Sequence, residues 1–126
     1  MKKANLLIFA CLAGIATLSF IAPPNKLTGR WQTRFSDGST VEASFGKDDT
    51  YNVSVNGKAF VNGKYFVRKD TVGVEDPSCG AGYYGTYRMD FFARDSVRFA
   101  LIQDTCTGRR RETVQMTFVR IKEAKR

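Results

Sequence analysis

From Leu27 to Ile121 the chain alternates apolar and polar residues, segment after segment, with turn residues between the segments. A period of two puts neighbouring side chains on opposite faces of a half-buried β-strand, and it does not build the apolar face of a helix. Trp31, Thr33 and Phe35 face one way, and Arg30, Gln32 and Arg34 the other. Asp37-Gly38 is a tight-turn pair, because hairpin turns need positive φ. Val41, Ala43 and Phe45 alternate next, followed by the polar turn Gly46-Lys47-Asp48-Asp49. Tyr51, Val53 and Val55 then lead to Asn56-Gly57, a second tight turn.

The segment Lys58 to Lys69 reads as one long strand with a bulge at Gly63, or as a separate short strand before a second hairpin. Arg68-Lys69-Asp70 turns the chain into Thr71–Asp76, and Pro77 to Tyr84 is a loop. Gly85–Ala93 is a strand with Tyr87, Met89 and Phe91 inward. Ser96–Asp104 follows, with Val97, Phe99 and Leu101 inward. Thr105 to Arg111 is a basic loop, and Glu112–Ile121 is the last strand, with Val114, Met116 and Phe118 on one face. No stretch of residues 23–126 carries a convincing helical period. The expected fold is therefore all-β: an antiparallel up-and-down meander whose eight strands close into a small barrel, removing exposed edges. A two-sheet β-sandwich is the alternative.

The stretch from Asp70 to Gly108 reads as two similar halves. Each opens with Asp-Thr-Val or Asp-Ser-Val, runs as a strand, and ends in Asp followed shortly by Cys. Equivalent positions in a repeated up-down unit lie at the same end of a sheet, so Cys79 and Cys106 fall within reach of each other. The third cysteine, Cys11, lies in an N-terminal segment of a different kind. There Lys2-Lys3 precede an uncharged apolar run from Leu6 to Ala22. This has the pattern of a secretory signal peptide, with Ser19 a suitable cleavage position, or of an uncleaved N-terminal anchor. The expected organisation is a leader or anchor at 1–22, a linker at 23–28, the barrel at 29–121 and a frayed basic tail at 122–126. Loss of the leader would remove Cys11 and leave two cysteines in an oxidising compartment, which favours a Cys79–Cys106 disulfide over two buried thiols. The expected location is secreted or periplasmic, with membrane attachment only through residues 4–22.

Leu27-Thr28-Gly29-Arg30-Trp31 opens the first strand. Its Gly-x-Trp resembles the first-strand motif of the calycins, the lipocalin-like barrels. The resemblance implies that Trp31 sits at the closed end of the barrel and that a basic residue of the last strand packs across its ring. Arg120 is the matching candidate, held there by cation–π attraction and by hydrogen bonds to the entering chain. With Trp31 at the closed end, the Asp37-Gly38 turn, the Asn56-Gly57 turn, Pro77–Tyr84 and Thr105–Arg111 gather at the open end.

That end collects Arg109, Arg110 and Arg111, with Arg34 nearby, as a candidate anion site or a solvated basic turn. Tyr51, Tyr65 and Tyr87 fall on the inward phase and suit a pocket wall, because their hydroxyls need partners. Tyr83 and Tyr84 lie in the open-end loop. So many inward rings could fill an eight-stranded barrel or line a small pocket, and both remain open. His is absent, which removes the usual general base and the commonest transition-metal ligand. No nucleophile has a recognisable base beside it, so no catalytic residue, metal or cofactor is expected. Without its leader the chain would still carry +6, since Lys2 and Lys3 account for two of the +8. Basic charge alone does not point to nucleic acid, and no exposed stacking aromatics accompany it. The expected function is non-catalytic binding of a small hydrophobic or anionic ligand at the open end. The alternative is a protein–protein module or inhibitor of the cell envelope, with a filled core.

Overall fold

The structure is a computed structural model and describes residues 25–122. The expected leader and the last four residues of the tail lie outside the described residues. The alternating segments form β1 (Gly29–Arg34), β2 (Thr40–Phe45), β3 (Thr50–Val55) and β4 (Lys58–Arg68). They continue as β5 (Thr71–Glu75), β6 (Gly85–Phe92), β7 (Ser96–Gln103) and β8 (Thr117–Arg120). Each strand pairs antiparallel with its sequence neighbour, and β1 pairs with both β2 and β8. The sheet is thus a closed up-and-down barrel, and the sandwich alternative falls. Among the described residues no helix is long and apolar enough to cross a membrane.

The turn chemistry accounts for the meander. Asn56 and Gly57 both adopt positive φ, at 51° and 81°, between the paired residues Val55 and Lys58. This is the geometry a two-residue hairpin loop demands. At the first turn the Asp37 carboxylate accepts from the Ser39 amide at 2.8 Å. Inside, the inward-phase residues Trp31, Val41, Ala43, Tyr65, Val72, Tyr87, Val97 and Phe118 form one buried cluster.

The Gly-x-Trp segment closes the end opposite the longer loops. The Trp31 indole N–H donates to the Leu27 carbonyl at 2.8 Å. The Arg120 guanidinium lies 4.2 Å from the centre of the Trp31 ring. It also donates to the carbonyls of Thr28 at 2.8 Å and Lys26 at 2.5 Å. Gly29 is needed beneath it: φ is +129°, and a Cβ there would come within 2.7 Å of the Arg120 Nη1. One guanidinium therefore ties the entering chain, the tryptophan and the last strand together.

Four details of the sequence reading need correction. Thr105–Arg111 is not an open loop: Thr107–Thr113 forms a short helix, α1. Seven residues make two turns, too few for a helical period to stand out, and the run of Arg and Glu favours helix locally. The last strand accordingly begins at Thr117 rather than Glu112, and Val114 is exposed. The bulge in β4 is not at Gly63. Val53 pairs with Val61 and Ser54 with Ala59, so Phe60 is the extra residue, and it is 72% exposed. Gly63 instead sits in tight register opposite Tyr51. Finally, Phe91 and Leu101, placed inward by phase, are 36% and 44% exposed. Phe91 lies near the end of β6, whereas Leu101 sits beside an irregularity in the β6–β7 pairing: Tyr87 pairs with Leu101 and Thr86 with Gln103, so Ile102 is an extra residue and the alternation breaks there.

Candidate ligand cavity

The barrel is not filled. A cavity of about 520 Å³ opens between the strands and the open-end connections. Its walls are apolar side chains from successive strands: Ala43 and Phe45 of β2, Val53 of β3, Val61 of β4, Val72 and Val74 of β5, Phe99 of β7 and Phe118 of β8. Tyr51 and Tyr87 add rings, and Met116 and the largely exposed Phe60 stand among the lining residues. Of the two arrangements the sequence left open, a filled core or a lined pocket, the second is found: Phe45, Tyr51, Tyr87, Phe99 and Phe118 border the space.

One side of the cavity is polar and highly organised. Asp76 directly follows β5 at the start of the first long loop, and Asp104 directly follows β7 at the start of the second. Arg109, on the first turn of α1, joins them. Its Nε and Nη2 donate to the two carboxylate oxygens of Asp104 at 2.7 and 2.9 Å. Its Nη1 donates to Asp76 Oδ2 at 2.9 Å. The three side chains are almost completely buried, Arg109 at 9% exposure and Asp104 at 0%. Other donors share the two carboxylates, and Asp76 Oδ2 alone accepts a single bond, the one from Arg109. The Ser78 amide donates to Asp76 at 2.9 Å, and the Ser78 hydroxyl bonds the same oxygen. The Cys106 amide and the Tyr87 hydroxyl donate to Asp104 at 2.9 and 2.5 Å.

Gly85 stands beside this group for a steric reason. A Cβ there would sit 2.3 Å from the Asp104 carboxylate. Cys79 and Cys106 form a disulfide at the same place, with their Cα atoms 5.7 Å apart. The repeated Asp-then-Cys pattern thus supplies both halves of a clamp, two carboxylates and two sulfurs, at one end of the barrel.

The electrostatics follow from this packing. Burial alone would raise the Asp76 and Asp104 carboxyls. The hydrogen bonds they accept, chiefly from Ser78 and Arg109 for one and from Arg109 and Tyr87 for the other, outweigh it. Both carboxyls stay below the usual carboxylate range. The bonds to Asp104, and then those to Asp76, hold Arg109 more firmly protonated than a free guanidinium. Burial raises the phenols of Tyr51 and Tyr87, and the carboxylate beside each adds to the effect: Asp76 for Tyr51, Asp104 for Tyr87.

The other candidate residues are dispersed. Arg34 is exposed on β1 and Arg110 and Arg111 are exposed on α1, and none of the three lines the cavity. Arg109 belongs to the buried clamp and not to a solvated basic turn. Tyr65 is buried toward the closed end, where its hydroxyl donates to the Gly46 carbonyl at 2.6 Å and its ring packs on Phe45. Tyr83 accepts from the Thr105 amide at 2.8 Å and lies beneath the Arg109 guanidinium. Tyr84 packs at a tilt against Phe66 outside the barrel, their centres 5.2 Å apart. Of the five tyrosines, only Tyr51 and Tyr87 line the cavity. Sequence reasoning missed Asp76 and Asp104 as site residues. The signal was there in the equivalent placement of an aspartate before each cysteine, with an arginine three residues after the second.

In comparisons with known proteins, no family model matches this chain and no curated protein matches it.

Proposed function

We propose that this protein is a small lipocalin-like binding protein of the calycin type, exported from the cytoplasm, that holds a small apolar ligand inside its barrel without catalysis. The observation that carries this reading is the cavity. At about 520 Å³ it falls in the range of small-molecule sites, roughly 300 to 1,000 Å³. Its wall is mostly apolar, with a few polar groups gathered on one side, which is the usual division between affinity and orientation. A protein–protein module working through the same loops would have no need of that space.

The clamp supports the reading in a second way. Disulfide, ion pairs and α1 together brace the open-end connections. This holds the pocket open in the absence of a guest, and so lowers the ordering cost of binding. The arrangement of Trp31 with Arg120 supports the calycin assignment, because it reproduces what the Gly-x-Trp resemblance implies at the closed end. A disulfide also suits an oxidising compartment such as the periplasm or the extracellular space.

The test is a fluorescence titration with prodan, an uncharged apolar naphthalene, against the parent and a cavity-filling double variant, Ala43→Phe with Val53→Phe. These two residues are cross-strand neighbours on the cavity wall. Saturable binding to the parent that disappears in a folded double variant is the expected result. Equal binding to both, with matching melting curves, would place the probe elsewhere and overturn the reading.

A further inference from the structure

The cavity has a charge character opposite to that of the protein around it. The chain carries +8 overall. At the cavity the charged lining residues are Asp76, Arg109 and Glu112. Arg109 is committed: three of its N–H groups bond Asp76 and Asp104. Two buried carboxylates thus face one buried guanidinium, an excess of one negative charge. Glu112, exposed on α1, adds a second at the mouth.

A carboxylate or phosphate guest would meet this excess with no uncommitted cation among the described lining residues. A cationic guest would neutralise it, in surroundings where water screens poorly and each charge interaction counts for more. The rings point the same way. Phe45, Tyr51, Phe99 and Phe118 border the cavity, and aromatic faces attract cations through their quadrupole.

We propose that the cavity selects a cationic amphiphile, an apolar body carrying one ammonium group, with the ammonium against Asp76 and Glu112 and the body among the rings. This rests on the ligand-binding reading above and names the class of ligand it takes.

The experiment is isothermal titration of the oxidised protein at pH 7 and low salt with three probes that share one chain: decylammonium chloride, decanol and decanoate. Decylammonium is expected to bind at least tenfold more tightly than decanoate, with decanol between them. Asp76→Asn and Glu112→Gln are each expected to reduce the ammonium-to-carboxylate preference at least threefold. Because Asp76→Asn also disturbs the buried clamp, Glu112→Gln on the exposed helix carries this arm if the other variant fails to fold. If decanol binds and decanoate binds as tightly as decylammonium, the ligand class is wrong while the cavity reading stands. If none of the three binds, both are overturned.

Discussion

Arg109→Met would remove the guanidinium from the clamp while keeping an unbranched apolar stem of similar reach. Three charge-assisted hydrogen bonds disappear with it, two to Asp104 and one to Asp76. Asp104 keeps the Tyr87 hydroxyl and the Cys106 amide, and Asp76 keeps Ser78. Neither carboxylate keeps a cation, and both remain buried. Breaking a buried ion pair by removing one partner costs about 3–5 kcal/mol, because the surviving charge is left uncompensated. A domain of this size has about 5–15 kcal/mol in all. The same substitution at Arg110 or Arg111, both exposed, should stay within about 0.5 kcal/mol. Urea unfolding of the oxidised proteins at pH 7 reads the difference. The Arg109→Met midpoint should fall by more than about 1 M while the other two scarcely move. Adding Asp76→Asn and Asp104→Asn to Arg109→Met should recover part of the loss, since the stranded charges go too. If Arg109→Met costs no more than Arg110→Met, the buried clamp is not what secures the open end, and the reasoning fails.

The Cys79–Cys106 bridge closes a loop of 27 residues in sequence separation, and chain entropy puts its contribution at about 3.5 kcal/mol. A thiol assay on denatured, unreduced protein comprising residues 23–126, which excludes Cys11, should find no free cysteine, and reduction should lower the melting temperature by about 15 to 25 °C. Acid should weaken the clamp in a defined window. Asp76 and Asp104 are depressed in the folded state, so their contribution is complete above the unfolded carboxyl range near about pH 4 and is lost as pH falls through their folded values. A melting temperature flat from pH 7 to 5 and falling steeply below 4 is the expected profile, and a flat profile down to pH 2 would contradict it. Arg120→Ala should alter the Trp31 emission spectrum and cost at least about 1 kcal/mol, since two hydrogen bonds to carbonyls go with the cation–π contact. An unchanged spectrum and melting curve would remove the link between first and last strands.

The strands and their order were legible because period-two alternation and turn pairs are local signals. Asn56-Gly57 announces its hairpin without help from the rest of the chain. The disulfide was legible because a repeated unit places equivalent residues together. Other features depend on the closed barrel and leave no such local trace. Phe60 breaks the alternation only by one residue, so from sequence the bulge could as well have fallen three residues on, at Gly63. Arg109 looks like Arg110 and Arg111 in sequence, and only the winding of α1 turns it inward toward two aspartates. Asp76 and Asp104 look like ordinary polar strand ends until the barrel closes over them. Whether inward rings fill a barrel or line a space depends on strand tilt and on what covers the mouth. Here the open-end loops and α1 complete the wall around a space that the rings do not fill.

The central claim is that this space accepts an apolar guest, and methyl NMR tests it most directly. Decanol would be titrated into protein labelled at the valine methyls. Val53, Val61, Val72 and Val74 line the cavity, whereas Val97 is buried outside it and Val119 is exposed on the outer face. Saturable shifts confined to the first four valines, with Val97 and Val119 unmoved, are the predicted result. Shifts at Val119 alone, or at no valine at all, would contradict the account.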